Sequence, residues 1–158
     1  MPDRDTLLAM DDAALAELCR LEFFKATGNG GQKRNKTSSA VRVTLEEYGL
    51  SAEDCSERSQ HRNRAVALRK LRRKLACSVR QSYTPFERQL CSPEHKDYPL
   101  YLAHLLDLLC ECSWDYRETA IRLNLTPSSL LKSISRDQEL FTCYNDIRRK
   151  SGLFPVHP

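Results

Sequence analysis

The chain has 158 residues, 41% of them apolar and 29% charged, a balance that suits one ordinary domain or two small ones. Its net charge is +4, and no stretch approaches the roughly 18 consecutive apolar residues of a membrane span, which excludes the membrane-spanning helical class. The opening MPDRDTLLAMDDAALAEL is acidic and lacks the basic start and apolar run of a signal peptide, so export is not expected. Residues 11–18 (DDAALAEL) predict a short helix, with aspartates at the end where the helix dipole favours them. Residues 19–25 shift to period two, with Cys19, Leu21 and Phe23 on one face and Arg20, Glu22 and Lys25 on the other. Residues 28–38 hold no apolar side chain and predict a loop. Residues 40–45 alternate again, with Val41, Val43 and Leu45 opposed by Arg42 and Thr44. Tyr48-Gly49 predicts a turn, and residues 50–55 a weaker third strand.

Residues 57–80 predict a helix about 35 Å long. Leu68, Leu71, Leu75 and Val79 form its apolar stripe, while Arg62, Arg69, Arg73 and Arg80, seven, four and seven apart, line another side. Residues 81–98 contain Pro85 and Pro93, show no period and read as a linker. Four helices follow, over 100–112, 116–123, 127–134 and 139–150. Thr126-Pro127 is a strong helix start, and Asn124 sits where a tight turn needs a residue that tolerates the left-handed region. Ala120, Leu123, Leu125 and Leu130 would pack this pair as a helix-turn-helix.

Charge is unevenly spread. Residues 20–80 carry a net +9, between −4 in residues 1–19 and −1 in residues 81–158, so a polyanionic partner is expected for the middle segment alone. The seven cysteines are odd in number and irregular in spacing, with no C-x-x-C pair, which predicts reduced thiols in a cytoplasm and no metal site. The four histidines, 61, 95, 104 and 157, are scattered and read as surface or linker residues. No Ser/His/Asp set, dinucleotide fingerprint or P-loop is present. Chemistry here, if any, must come from backbone and amide dipoles acting with water.

Three of the five glycines fall in Gly28-x-Gly30-Gly31-Gln32. Asn35-Lys36-Thr37 follows, then Ser39-Ala40-Val41-Arg42-Val43, then Glu57-Arg58-Ser59-Gln60-His61-Arg62-Asn63-Arg64-Ala65. In this order the motifs resemble the catalytic domain of the bacterial class-I peptide chain release factors, most closely the short release-factor-like proteins and ribosome-rescue hydrolases. The similarity covers roughly residues 10–80. It implies a loop that enters the peptidyl transferase centre of the large ribosomal subunit and promotes hydrolysis of P-site peptidyl-tRNA, without a cofactor. It further implies catalytic roles for Gly30, Gly31 and Gln32. RNA contacts would come from Lys33, Arg34, Asn35, Lys36, Arg58, Gln60, Arg62, Arg69, Arg73 and Arg80. Lys33-Arg34 departs from the small or apolar pair usual before the asparagine, though basic residues suit an RNA tunnel.

The expected architecture is α+β: a small mixed sheet with a long helix over 1–80, a linker over 81–98 and an all-α helix-turn-helix module over 99–158. The sequence has no room for a stop-codon-reading domain, so the expected activity is codon-independent release at stalled ribosomes in the cytoplasm. The competing reading is a non-catalytic regulator that binds nucleic acid or the ribosome through the helical module. That module's second RNA, DNA or protein partner stays open, and its charge argues against strong DNA binding.

Overall fold

The structure is a computed structural model that describes residues 2–25, 39–88 and 90–158. The chain forms two compact units, Met1–Val79 and Arg80–Pro158.

Unit 1 opens with two six-residue helices, α1 (Arg4–Ala9) and α2 (Asp12–Glu17). Each is started by an aspartate. Asp3 accepts the Thr6 N–H, and Asp11 accepts the Ala14 N–H, both at 2.8 Å. Three strands follow, β1 (Arg20–Phe24), β2 (Ala40–Leu45) and β3 (Leu50–Asp54), antiparallel in the order β1-β2-β3. A short 3₁₀ turn over Glu46–Tyr48 joins β2 to β3 and closes at Gly49, whose φ of 62° lies in the left-handed region that glycine enters without strain. The long helix α3 (Gln60–Ser78) packs on β2 and β3, flanked by α1 and α2. Leu68, Leu71 and Leu75 meet Val41, Val43, Leu45 and Ala52, all of them buried. The helix is shorter than the 57–80 expected. Ser59 caps its start, and Val79 leaves the apolar stripe as an extended C-cap.

The sheet's other face is polar. Arg42 lies opposite Glu53, pairs with it at 2.9 Å, and covers the Phe24 ring at 5.2 Å. On the inner face Asp54 is 6% exposed and receives Lys70 at 2.7 Å and the Ser56 hydroxyl at 2.6 Å. Burial pushes the Asp54 carboxyl up. The hydrogen bonds from Lys70 and Ser56 outweigh burial and hold it below the ordinary 3.8. A carboxyl lowered in this way stabilises the fold fully above its unfolded pKa and stops doing so as pH falls through its folded value. The melting temperature of wild type should therefore drop as pH is lowered from about 5 to about 2. Asp54→Asn should melt lower at neutral pH and converge on wild type in acid. Parallel melting curves across that range would rule the pair out as a contributor.

Unit 2 is built around α4 (Tyr98–Glu111), a largely apolar helix whose residues 98, 99 and 101–109 are buried. Residues 81–86 lie along it. The Gln81 N–H donates to Asp107 at 3.1 Å, the Tyr83 N–H to Glu111 at 2.9 Å, and the Phe86 ring sits 5.5 Å from the His104 ring. His104, expected at the surface, is 7% exposed and pairs through Nδ1 with the Thr84 carbonyl at 2.7 Å. Burial of the whole helix takes this side chain inside with it. Burial also raises the Tyr101 phenol to about 12. The remaining helices are α5 (Tyr116–Arg122), α6 (Pro127–Arg136) and α7 (Gln138–Lys150).

Helices α4, α5 and α7 end alike. A left-handed residue (Ser113, Asn124 or Gly152) follows the cap, and the next residue's N–H reaches back to the carbonyl five positions earlier. Asn124 has φ 54°, the conformation its sequence position predicts. Trp114 is also left-handed, and its carbonyl receives both the Tyr144 hydroxyl, at 2.7 Å, and Arg148. All seven cysteines are free thiols. Cys112 is buried and Cys110 is exposed. Among the described residues, no helix is long and apolar enough to cross a membrane.

Candidate functional site

The glycine-rich segment connects β1 to β2. Gly30, Gly31, Gln32, Lys33, Arg34, Asn35 and Lys36 lie outside the described residues, so the site is read from the frame that holds both ends of the segment. At the entry, β1 ends at Phe24, and Phe23 is 50% exposed although it lies opposite buried Val41. α3 packs on β2 and β3, which leaves the inner side of this edge strand lightly covered.

The exit is held by a buried amide. Asn63, in the first turns of α3, is 0% exposed. Its Nδ2 donates to the Ser39 carbonyl at 2.6 Å and to the Glu57 carbonyl at 2.9 Å, while its Oδ1 accepts the Glu57 N–H at 2.9 Å. One side chain thus joins the start of β2, the turn before α3 and the helix itself. Asparagine carries the donors and acceptor this requires, and leucine would carry none. Sequence reading placed Asn63 in the motif but gave it no role. The available signal was a helix-disfavouring asparagine close behind the N-cap serine.

The basic residues of α3 divide by use. Lys70 and Lys74 reach β3, where the Lys74 ammonium donates to the Ser51 carbonyl at 2.7 Å. Arg72 is 9% exposed and joins α3 to the α1–α2 turn, through Asp12 and the Met10 carbonyl. These three charges hold the fold together. Arg62 and Arg69 are exposed and Arg73 half-buried, and all three lie within about 40° on the helix wheel. Arg62 approaches Glu57 only to 3.8 Å, and Arg69 forms no ion pair among the described residues. Arg58 and Gln60 are exposed at the helix start. Arg80 is not part of α3. It follows the helix, belongs to unit 2, and donates to Asp107 at 3.1 Å and to the Ala103 carbonyl at 3.3 Å. Sequence reasoning put it on the ridge because helical spacing continues to residue 80, whereas α3 stops at Ser78.

A three-stranded antiparallel sheet backed by one long basic helix, with a glycine-rich β1–β2 connection, defines a small α+β domain. The RF-1 domain profile matches residues 14–96, just over half of the chain, and the chain belongs to that family. Among curated proteins, peptide chain release factor 1 of Leptothrix cholodnii is 54% identical over 66 residues, which is 42% of this chain and 18% of that protein. Peptide chain release factor 2 of Borreliella burgdorferi is 46% identical over 56 residues, 35% of this chain and 16% of that protein. Peptide chain release factor 1 of Variovorax paradoxus is 44% identical over 70 residues, 44% and 18% of the two chains. The chain therefore matches less than a fifth of each of these relatives.

Proposed function

We propose that this protein promotes hydrolysis of the ester bond of peptidyl-tRNA on the ribosome, releasing the nascent peptide without reading a stop codon. The observation that carries the reading is the RF-1 family match across the stretch that contains Gly30-Gly31-Gln32 and its supporting frame. In this reaction water adds to the ester carbonyl, the acyl–oxygen bond breaks, and the released ribose hydroxyl takes a proton that originated on the water. In this reading the Gln32 N–H donates to the developing oxyanion, and its side-chain amide positions the water. Gly30 and Gly31 allow the backbone to come close to RNA. Lys33, Arg34, Asn35 and Lys36, with Arg58, Gln60, Arg62, Arg69 and Arg73, contact ribosomal RNA and set the register, because phosphate contacts position without specifying sequence. No titrating side chain is needed, since amides act at any physiological pH.

Unit 2, residues 80–158, takes the part of a recognition module on stalled ribosomes in the cytoplasm, beside a catalytic unit that ends near residue 79. Peptide release from purified complexes with a stop codon, a sense codon or no codon in the A site tests this reading. Release at similar rates from all three is expected. Release with the stop codon alone would overturn codon independence, and no release from any complex would overturn the activity.

A further inference from the structure

Unit 2 contains ten basic and ten acidic residues, a balance that predicts little attraction to a polyanion. The fold changes that expectation locally, by turning two acids inward and engaging two others, although most of the unit's acids stay exposed. Asp107 is 0% exposed and Asp137 7%, held by Arg80 and by the Tyr98 hydroxyl. Asp115 caps α5, and Glu111 is occupied by the Tyr83 N–H and the Arg122 guanidinium. Acids placed inward or paired in this way do little to lower the potential elsewhere on the surface.

Helix α6 carries no acid. Leu130 and Ile134, both 0% exposed, anchor one face. Ser128, Lys132 and Arg136 are exposed and follow one another at four-residue spacing along the opposite face, with Ser135 on the same line and Ser129 beside it. Neither Lys132 nor Arg136 forms an ion pair among the described residues. The nearest acid in sequence, Asp137, is turned inward, where it caps α7 through the Leu140 N–H.

We propose that this face of α6 docks on a double-helical RNA, with the serines against the shallow minor groove and Lys132 and Arg136 on the bordering phosphates. Two features select RNA over DNA. Short serine side chains let the helix approach a wide, shallow surface, and a hydroxyl both donates to and accepts from a ribose 2′-hydroxyl. Base reading in the DNA major groove uses long bidentate side chains near the helix start, and here that position holds Ser128 and Ser129. The hydrolysis itself does not depend on this contact.

Fluorescence anisotropy of the full-length protein with a fully paired RNA hairpin, and with a DNA duplex of the same sequence, tests the proposal. Each lost phosphate contact lowers the salt slope of binding by about one, so Lys132→Gln/Arg136→Gln should reduce the RNA slope by about two. Lys132→Arg/Arg136→Lys should keep it. Ser128→Glu, a single exposed change that leaves the core intact, should weaken RNA binding without altering the melting temperature. An unchanged RNA slope in the double glutamine variant, or wild-type RNA affinity in Ser128→Glu, would overturn the docking face. An equal loss on the DNA duplex would overturn the assignment to RNA.

Discussion

If the chain releases nascent peptide as proposed, Gly31→Ala should lower release by about two orders of magnitude or more, the scale on which removing one oxyanion donor acts. Ribosome binding should persist. The added methyl restricts the backbone immediately before the Gln32 N–H and fills space needed for close approach to RNA. An N–H displaced by 1 Å no longer points to where charge develops, and a misplacement of that size costs about a hundredfold in positioned catalysis. Binding should be spared because the phosphate contacts proposed for Lys33, Arg34, Lys36 and the α3 arginines remain. Single-turnover release and ribosome co-sedimentation, measured on the same preparation, separate the two effects. A variant that released peptide at the wild-type rate would remove the proposed mechanism, and one that failed to bind would show that the glycine serves attachment instead.

Asn63→Ala destabilises unit 1 by about 3 kcal/mol, since it strands the Glu57 N–H and the Ser39 and Glu57 carbonyls, and a buried group left unpaired costs about 1–3 kcal/mol. For a unit of this size that corresponds to a melting temperature lower by roughly 15 °C. The proposed release activity should fall as well, because the start of β2 at the end of the glycine-rich segment loses its anchor. Asn63→Asp separates geometry from hydrogen bonding. The new carboxylate keeps the acceptor for the Glu57 N–H but faces two carbonyl oxygens with no proton to offer, which raises its pKa above the ordinary range. A raised carboxyl penalises the fold above its folded pKa, and the penalty disappears as pH falls through that value. Asn63→Asp should therefore regain stability on mild acidification while Asn63→Ala does not. Parallel pH dependence in the two variants would show that the bonds to Ser39 and Glu57 contribute little.

Local pattern was enough for much of this fold. Alternation marked β2 at Ala40–Leu45, and helical spacing marked Leu68, Leu71 and Leu75 as the buried stripe of α3. Asn124 and Thr126-Pro127 located the α5–α6 turn through their own backbone chemistry. The exposed line of Arg62 and Arg69 followed from spacing alone, and Gly30, Gly31 and Gln32 were legible as a motif because their neighbours stand in order around them. Helix α1, six residues long, was not read from the sequence.

Other features depended on partners far along the chain. Arg72 meets Asp12 across 60 residues, Asn63 meets Ser39 across 24, and Arg80 meets Asp107 across 27. Spacing sets Lys70, Lys74 and Arg69 alike off the apolar stripe, but nothing near Lys70 or Lys74 in sequence says that they will hold β3. Net charge misleads for the same reason, because Asp107 and Asp137 count fully in the sequence yet are turned inward in unit 2. Sequence determines periodicity, caps and turns, whose energies arise within a few residues. Tertiary structure decides which polar groups are buried, because an unpaired buried charge is too costly to persist and its partner comes from wherever the fold brings one.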